Sequence, residues 1–126
     1  MRTVIVGVCG SGKTSLAAKL QRLGYDADTI AQEHSEVPTL FRHNSPDIVI
    51  YLDASLQSIR KRRDIDWGED VLVVERARLA AARSACDLYI KTDDLNEDQV
   101  FRRARRFLEK SEEKRERQSS GHTSTP

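Results

Sequence analysis

Gly7-Val8-Cys9-Gly10-Ser11-Gly12-Lys13-Thr14 sets three glycines, an amine and a hydroxyl in the spacing G-x-x-x-x-G-K-[ST]. Without side chains at 7, 10 and 12, successive backbone N–H groups can converge on an anion where a Cβ would intrude. Lys13 is the charge expected to reach β- and γ-phosphate oxygens, and the Thr14 hydroxyl is the expected ligand of Mg²⁺. Cys9, Ser11 and Ser15 fill the remaining places around the phosphates. The chemistry these residues suit is binding of a nucleoside triphosphate, ATP or another, with Mg²⁺ as cofactor.

Such a loop works only between a strand and a helix, and its flanks fit. Thr3-Val4-Ile5-Val6 is a β-branched run suited to a buried parallel strand. Leu16, Ala17, Leu20 and Leu23 recur at helical spacing, and Gly24 is a natural stop. The helix points its positive end at the same anion.

Downstream, residues 25–33 carry a weak strand signal centred on Asp28-Thr29-Ile30-Ala31. Residues 37–43 suit one or two helical turns, and Asn44-Ser45-Pro46-Asp47 a turn. Ile48-Val49-Ile50-Tyr51-Leu52-Asp53 is the clearest strand, apolar enough to be buried on both faces. Ser55 can cap the short helix that carries Arg60, Lys61, Arg62 and Arg63. Residues 64–70 read as a flexible loop, and residues 71–86 as one long helix with Leu72, Leu79, Ala82 and Cys86 on a stripe. Asp87-Leu88-Tyr89-Ile90 is a fourth strand. Asn96 with Gln99 signals a last helix, stapled by Leu95 against Val100 and buried through Val100, Phe101, Ala104, Phe107 and Leu108. Residues 111–126 lose the apolar pattern and are expected to form a disordered tail behind a domain of residues 1–110.

The alternation predicts an α/β fold, a parallel sheet of four strands in order 2-1-3-4 with helices on both faces. Glu33 and Asp53 would then end the strands on either side of the loop. Either carboxylate suits the part of holding Mg²⁺ through water or orienting an acceptor hydroxyl. The plainer roles are a helix cap for Asp53 and an exposed loop position for Glu33.

With 126 residues, 33% of them charged, the chain is one domain without a membrane-length apolar run. The first strand begins at once, leaving no room for a leader. Lys and Arg total 21 against 20 Asp and Glu, so bulk charge selects no partner. The two cysteines make neither a zinc site nor a useful disulfide, which fits a reduced, cytoplasmic setting. His34 and His43 read as polar surface, and Arg102, Arg103, Arg105 and Arg106 as a solvated face rather than a nucleic-acid surface.

The loop, the segment Pro46-Asp47-Ile48-Val49-Ile50-Tyr51-Leu52-Asp53 before an arginine-rich helix, and Ala85-Cys86-Asp87-Leu88-Tyr89-Ile90 before Thr92-Asp93-Asp94 together resemble the small P-loop kinases. These include nucleotide kinases, thymidylate kinase and dephospho-coenzyme A kinase. The resemblance implies a three-layer P-loop NTPase sandwich. It implies that Arg62 or Arg63 starts a lid touching adenine or phosphate, and that Thr92, Asp93 and Asp94 line the adenine pocket. It places Asp53 one strand beyond the usual Mg²⁺-associated carboxylate, and it leaves little room between Gly24 and Asp47 for a helical acceptor subdomain. The lone Trp67 either stacks on a base or covers apolar surface. The expected function is a compact kinase-like phosphotransferase using Mg-ATP on a small-molecule or nucleotide acceptor. The alternative is a nucleotide-binding switch or adaptor with slow or no hydrolysis.

Overall fold

A computed structural model describes the backbone of residues 1–123 and the side chains of residues 1–118. Four parallel strands stand in the order β2-β1-β3-β4. They are β1 (Arg2–Gly7), β2 (Asp26–Thr29), β3 (Ile48–Asp53) and β4 (Leu88–Lys91). The two central strands run in register from Thr3 opposite Ile48 to Gly7 opposite Leu52. All six residues of β3 are buried, because helices cover both faces of the sheet.

Alternation along the strands sorts the apolar side chains into two cores. Ile5, Ile50, Leu52 and Ile90 face Leu16, Ala17 and Leu20 of α1 (Lys13–Arg22) and Val100, Ala104 and Leu108 of α5 (Glu97–Thr123). Val4, Val6, Val49 and Tyr51 face the other way. They meet Ile59 of α2 (Leu56–Arg62), Leu72 of α3 (Glu69–Arg78), and Ala82 of α4 (Ala80–Ala85). Each fully buried Leu or Ile contributes roughly 1.5–3 kcal/mol, so these two layers fix where the strand ends lie.

The helix starts follow the expected chemistry. The Ser58 N–H donates to Ser55 Oγ at 3.2 Å, capping α2. At α5 the Gln99 N–H donates to Asn96 Oδ1 and the Asn96 N–H to Gln99 Oε1, a reciprocal box. Trp67 packs half-buried against the second core.

Three boundaries differ from the sequence reading. β2 starts at Asp26, two residues before the expected centre, because pairing with Arg2 to Ile5 sets its register and only Ala27 is buried. The helix expected over residues 71–86 begins at Glu69 and is broken at Leu79, yet Leu72, Leu79 and Ala82 stay buried on either side of the break. The third is the tail. Residues 111–123 are helix rather than disordered chain, and residues 124–126 lie outside the described residues. Glu, Lys and Arg are good helix formers, and Arg105–Glu109 and Arg117–Glu113 pair one turn apart.

Past Lys110 the helix buries little. Residues 112–118 are exposed, and Arg115 reaches Asp47 through a solvent-screened pair at 3.6 Å. A chain ending at Lys110 is therefore expected to melt within a few degrees of the full chain, as calorimetry would show. A large loss of stability would mean that residues beyond 110 dock on the domain.

Candidate functional site

β1 ends against the backbone of β3. A Cβ on Gly7 would lie 2.1 Å from the Leu52 carbonyl oxygen, so only glycine lets the chain leave the sheet here. The loop then turns through left-handed residues at Gly10 (φ +83°) and Gly12 (φ +101°) and is pinned by the Ser11 N–H donating to the Val8 carbonyl at 3.1 Å. Backbones that alternate in this way turn neighbouring N–H groups toward one concavity. α1 starts at Lys13 with no acidic residue in its first turn, so nothing there neutralises its positive end.

Lys13 folds into the concavity. Its Nζ donates to the carbonyls of Gly7 at 2.9 Å and Val8 at 3.1 Å and to Glu33 Oε2 at 2.6 Å. Glu33 sits in a single 3-10 turn, Gln32–His34, just beyond β2, and is 4% exposed. Its second oxygen, Oε1, is buried without a hydrogen-bond partner, as is Ser11 Oγ. Buried polar oxygens without a protein partner are uncommon, and both of these belong to residues of the same cavity lining.

These groups line one cavity of about 670 Å³. Cys9, Gly10, Ser11, Gly12, Lys13, Thr14 and Ser15 form one side of it, with Glu33 beside them. Arg62, Arg63 and Thr92 close another side, and Ile30, Leu95 and Val100 give it an apolar wall. The structure thus gathers most of the residues singled out from sequence. Gly7 lies outside the cavity lining, behind the loop and against Leu52.

Asp53 and Asp93 are placed elsewhere, outside the cavity lining. Asp53 lies on the Tyr51 face of β3. It accepts from the Tyr89 hydroxyl at 2.7 Å and its own neighbour's N–H, with Arg76 at 3.6 Å. Burial and this bond to the Asp53 carboxylate push the Tyr89 phenol up to about 12. Asp93 ties the β4–α5 connection to α2 by accepting from the Ser55 N–H at 2.8 Å. Partial burial pulls its carboxyl upward, but hydrogen bonds from Ser55 and Ser58, with Lys91 nearby, outweigh that and hold it at about 2. Its contribution to stability is therefore full above the ordinary value of 3.8 and lost as pH falls through about 2. Asp93→Asn is expected to cost about 1 kcal/mol at neutral pH, the scale of one solvent-screened charged hydrogen bond. That difference should fade between pH 4 and pH 2 in melting experiments.

The arginines are exposed and already engaged. Arg62 donates to Thr92 Oγ1 at 3.0 Å and to the Thr92 carbonyl, and Arg63 Nη1 stands 4.0 Å from Cys9 Sγ. One participant escaped the sequence reading. Glu75 of α3, 2% exposed, accepts the Cys9 N–H at 2.8 Å and so anchors the loop to α3. The signal was present: Glu75 is a carboxylate on the apolar stripe between Leu72 and Leu79.

No protein-family model matches the chain, and no curated protein gives a match to it either. No helix among the described residues is long and apolar enough to cross a membrane.

Proposed function

We propose that the chain binds a magnesium nucleoside triphosphate on residues 7–15 and acts as a compact P-loop kinase-like phosphotransferase. One observation carries this reading. A single cavity is lined by the glycine loop, Lys13, Thr14, the buried Glu33 and two arginines. The residues present fit the proposed ligand: left-handed glycines that free backbone N–H groups, an ammonium, and a hydroxyl at the helix start. Lys13 and the loop backbone would hold the phosphates, and Thr14 would take the Mg²⁺.

When bound, Mg-ATP supplies the transferable phosphoryl group and the metal charge beside it. The chain supplies position and charge. Lys13 exchanges the carbonyls of Gly7 and Val8 for an anion, carrying its positive charge into the cavity. Glu33 Oε1, buried and unpartnered, is the atom suited to accept a proton from an acceptor hydroxyl. Arg62 and Arg63 stand at the cavity side where they can exclude water and face developing charge.

A second reading, a nucleotide-binding switch or adaptor, is favoured by one feature. Only two single 3-10 turns, Gln32–His34 and Leu40–Arg42, lie between β2 and β3, where a helical acceptor subdomain would have to fit. Labelled Mg-ATP offered with a panel of small hydroxyl and phosphate acceptors decides between them. Transfer of label supports the kinase. Tight binding with neither transfer nor steady hydrolysis replaces it with the switch.

A further inference from the structure

Cys9, His34 and Glu75 reach one spot from three places in the chain: the glycine loop, the 3-10 turn after β2, and α3. Their sulfur, imidazole nitrogen and carboxylate oxygen all lie within 4.8 Å of one another. Glu75 is 2% exposed, and its hydrogen bond is to a single backbone N–H, that of Cys9. Among the described residues no lysine or arginine pairs with it. A carboxylate so buried, held by one backbone N–H, is short of positive charge.

We propose that Cys9, His34 and Glu75 form a binding site for one thiophilic divalent metal, Zn²⁺ in class, with a fourth position left open. The donor set fits that ion. A thiolate and an imidazole select borderline transition metals over Mg²⁺ or Ca²⁺, and one carboxylate is the third protein donor of a tetrahedral site whose fourth position stays open. The charges balance, since a thiolate and a carboxylate together neutralise a dication. Tetrahedral ligands at zinc bond lengths stand roughly 3.5 Å apart, so closing the site asks for movement of about 1 Å. The exposed His34 ring can supply it.

The site shares Cys9 with the cavity lining but takes different donors from the Mg²⁺ place assigned to Thr14, and Cys9 is a position the phosphate-loop spacing leaves free. Its occupant bridges the loop to α3 and to the turn that carries Glu33. Metal would therefore hold the loop in place, whether or not a nucleotide binds beside it.

Cobalt(II), a spectroscopic stand-in for Zn²⁺, titrated into the reduced full chain in excess Mg²⁺ tests the proposal. One equivalent should bind and give a thiolate-to-cobalt charge-transfer band that Zn²⁺ then displaces. The band should vanish in Cys9→Ser and persist in Cys86→Ser. His34→Ala and Glu75→Gln should each weaken binding at least about tenfold, and Glu75→Gln keeps an acceptor for the Cys9 N–H. Cys9→Ser and His34→Ala alter a half-buried and an exposed side chain, so both variants retain the fold for the measurement. Absence of the band, its survival in Cys9→Ser, its quenching by Mg²⁺, or unchanged binding in both ligand variants would each overturn the site.

Discussion

Gly7→Ala is expected to destabilise the native fold severely. The added Cβ would stand 2.1 Å from the Leu52 carbonyl oxygen and 3.0 Å from Ser11 Oγ. The backbone carbonyl cannot yield cheaply. Leu52 is fully buried in the central strand, and Gly7 is its register partner at the last rung of the β1–β3 pairing. Separating the strands by more than an ångström would open both cores, at a cost on the order of 4 kcal/mol or more, against a total stability of about 5–15 kcal/mol for a domain. Gly24→Ala is the control. Gly24 has φ +90° but open space around it, so that change should cost only about 1–2 kcal/mol. Circular dichroism melts of the two variants give the comparison. Similar melting temperatures would mean that the end of β1 is far more yielding than the geometry allows.

Arg62→Ala combined with Arg63→Ala is expected to separate turnover from binding. Both side chains are exposed, so the fold should survive, apart from the tie between Arg62 and Thr92. In a phosphotransferase the guanidinium charge counts most when negative charge moves, so turnover should fall on the order of 100-fold. Affinity for Mg-ATP should change far less, because Lys13 and the loop backbone remain. An equal loss in both quantities would make the arginines ground-state ligands. No loss in either would place them outside the chemistry.

Some of this was legible in the letters and some was not. β3 and the α5 cap could be read directly, because an unbroken apolar run and an Asn-x-x-Gln box each have one physical meaning. β2 could not be bounded, since an edge strand with one buried residue takes its limits from its partner's register. The strand-end carboxylates were equivalent in sequence and differ in space. Asp53 falls on the Tyr51 face by alternation and is engaged by Tyr89 and Arg76, whereas Glu33 turns in beside Lys13. Period-two patterning names the face of a strand but not the direction of the turn that follows it. Glu75 marks a different limit. A charge on an apolar stripe announces a buried partner, yet only the fold shows that the partner is the Cys9 backbone. The helix beyond Lys110 follows from local charge pairing, which composition alone does not weigh against disorder.

The most direct measurement is calorimetric titration of Mg-ATP into the full chain, into Lys13→Ala, and into Lys13→Ala with Glu33→Gln. The single change strands a buried carboxylate and should lower stability as well as affinity. The double change removes both charges, so it tests the ammonium with the fold less burdened. Nucleotide binding through Lys13 predicts one saturable site per chain. In both variants affinity should fall at least tenfold, as expected for loss of a charged contact worth about 2–5 kcal/mol. Omission of magnesium should also weaken binding to the unaltered chain. Absence of binding to the full chain, or an affinity unchanged in both Lys13 variants, would contradict the phosphate-loop assignment on which the proposed function stands.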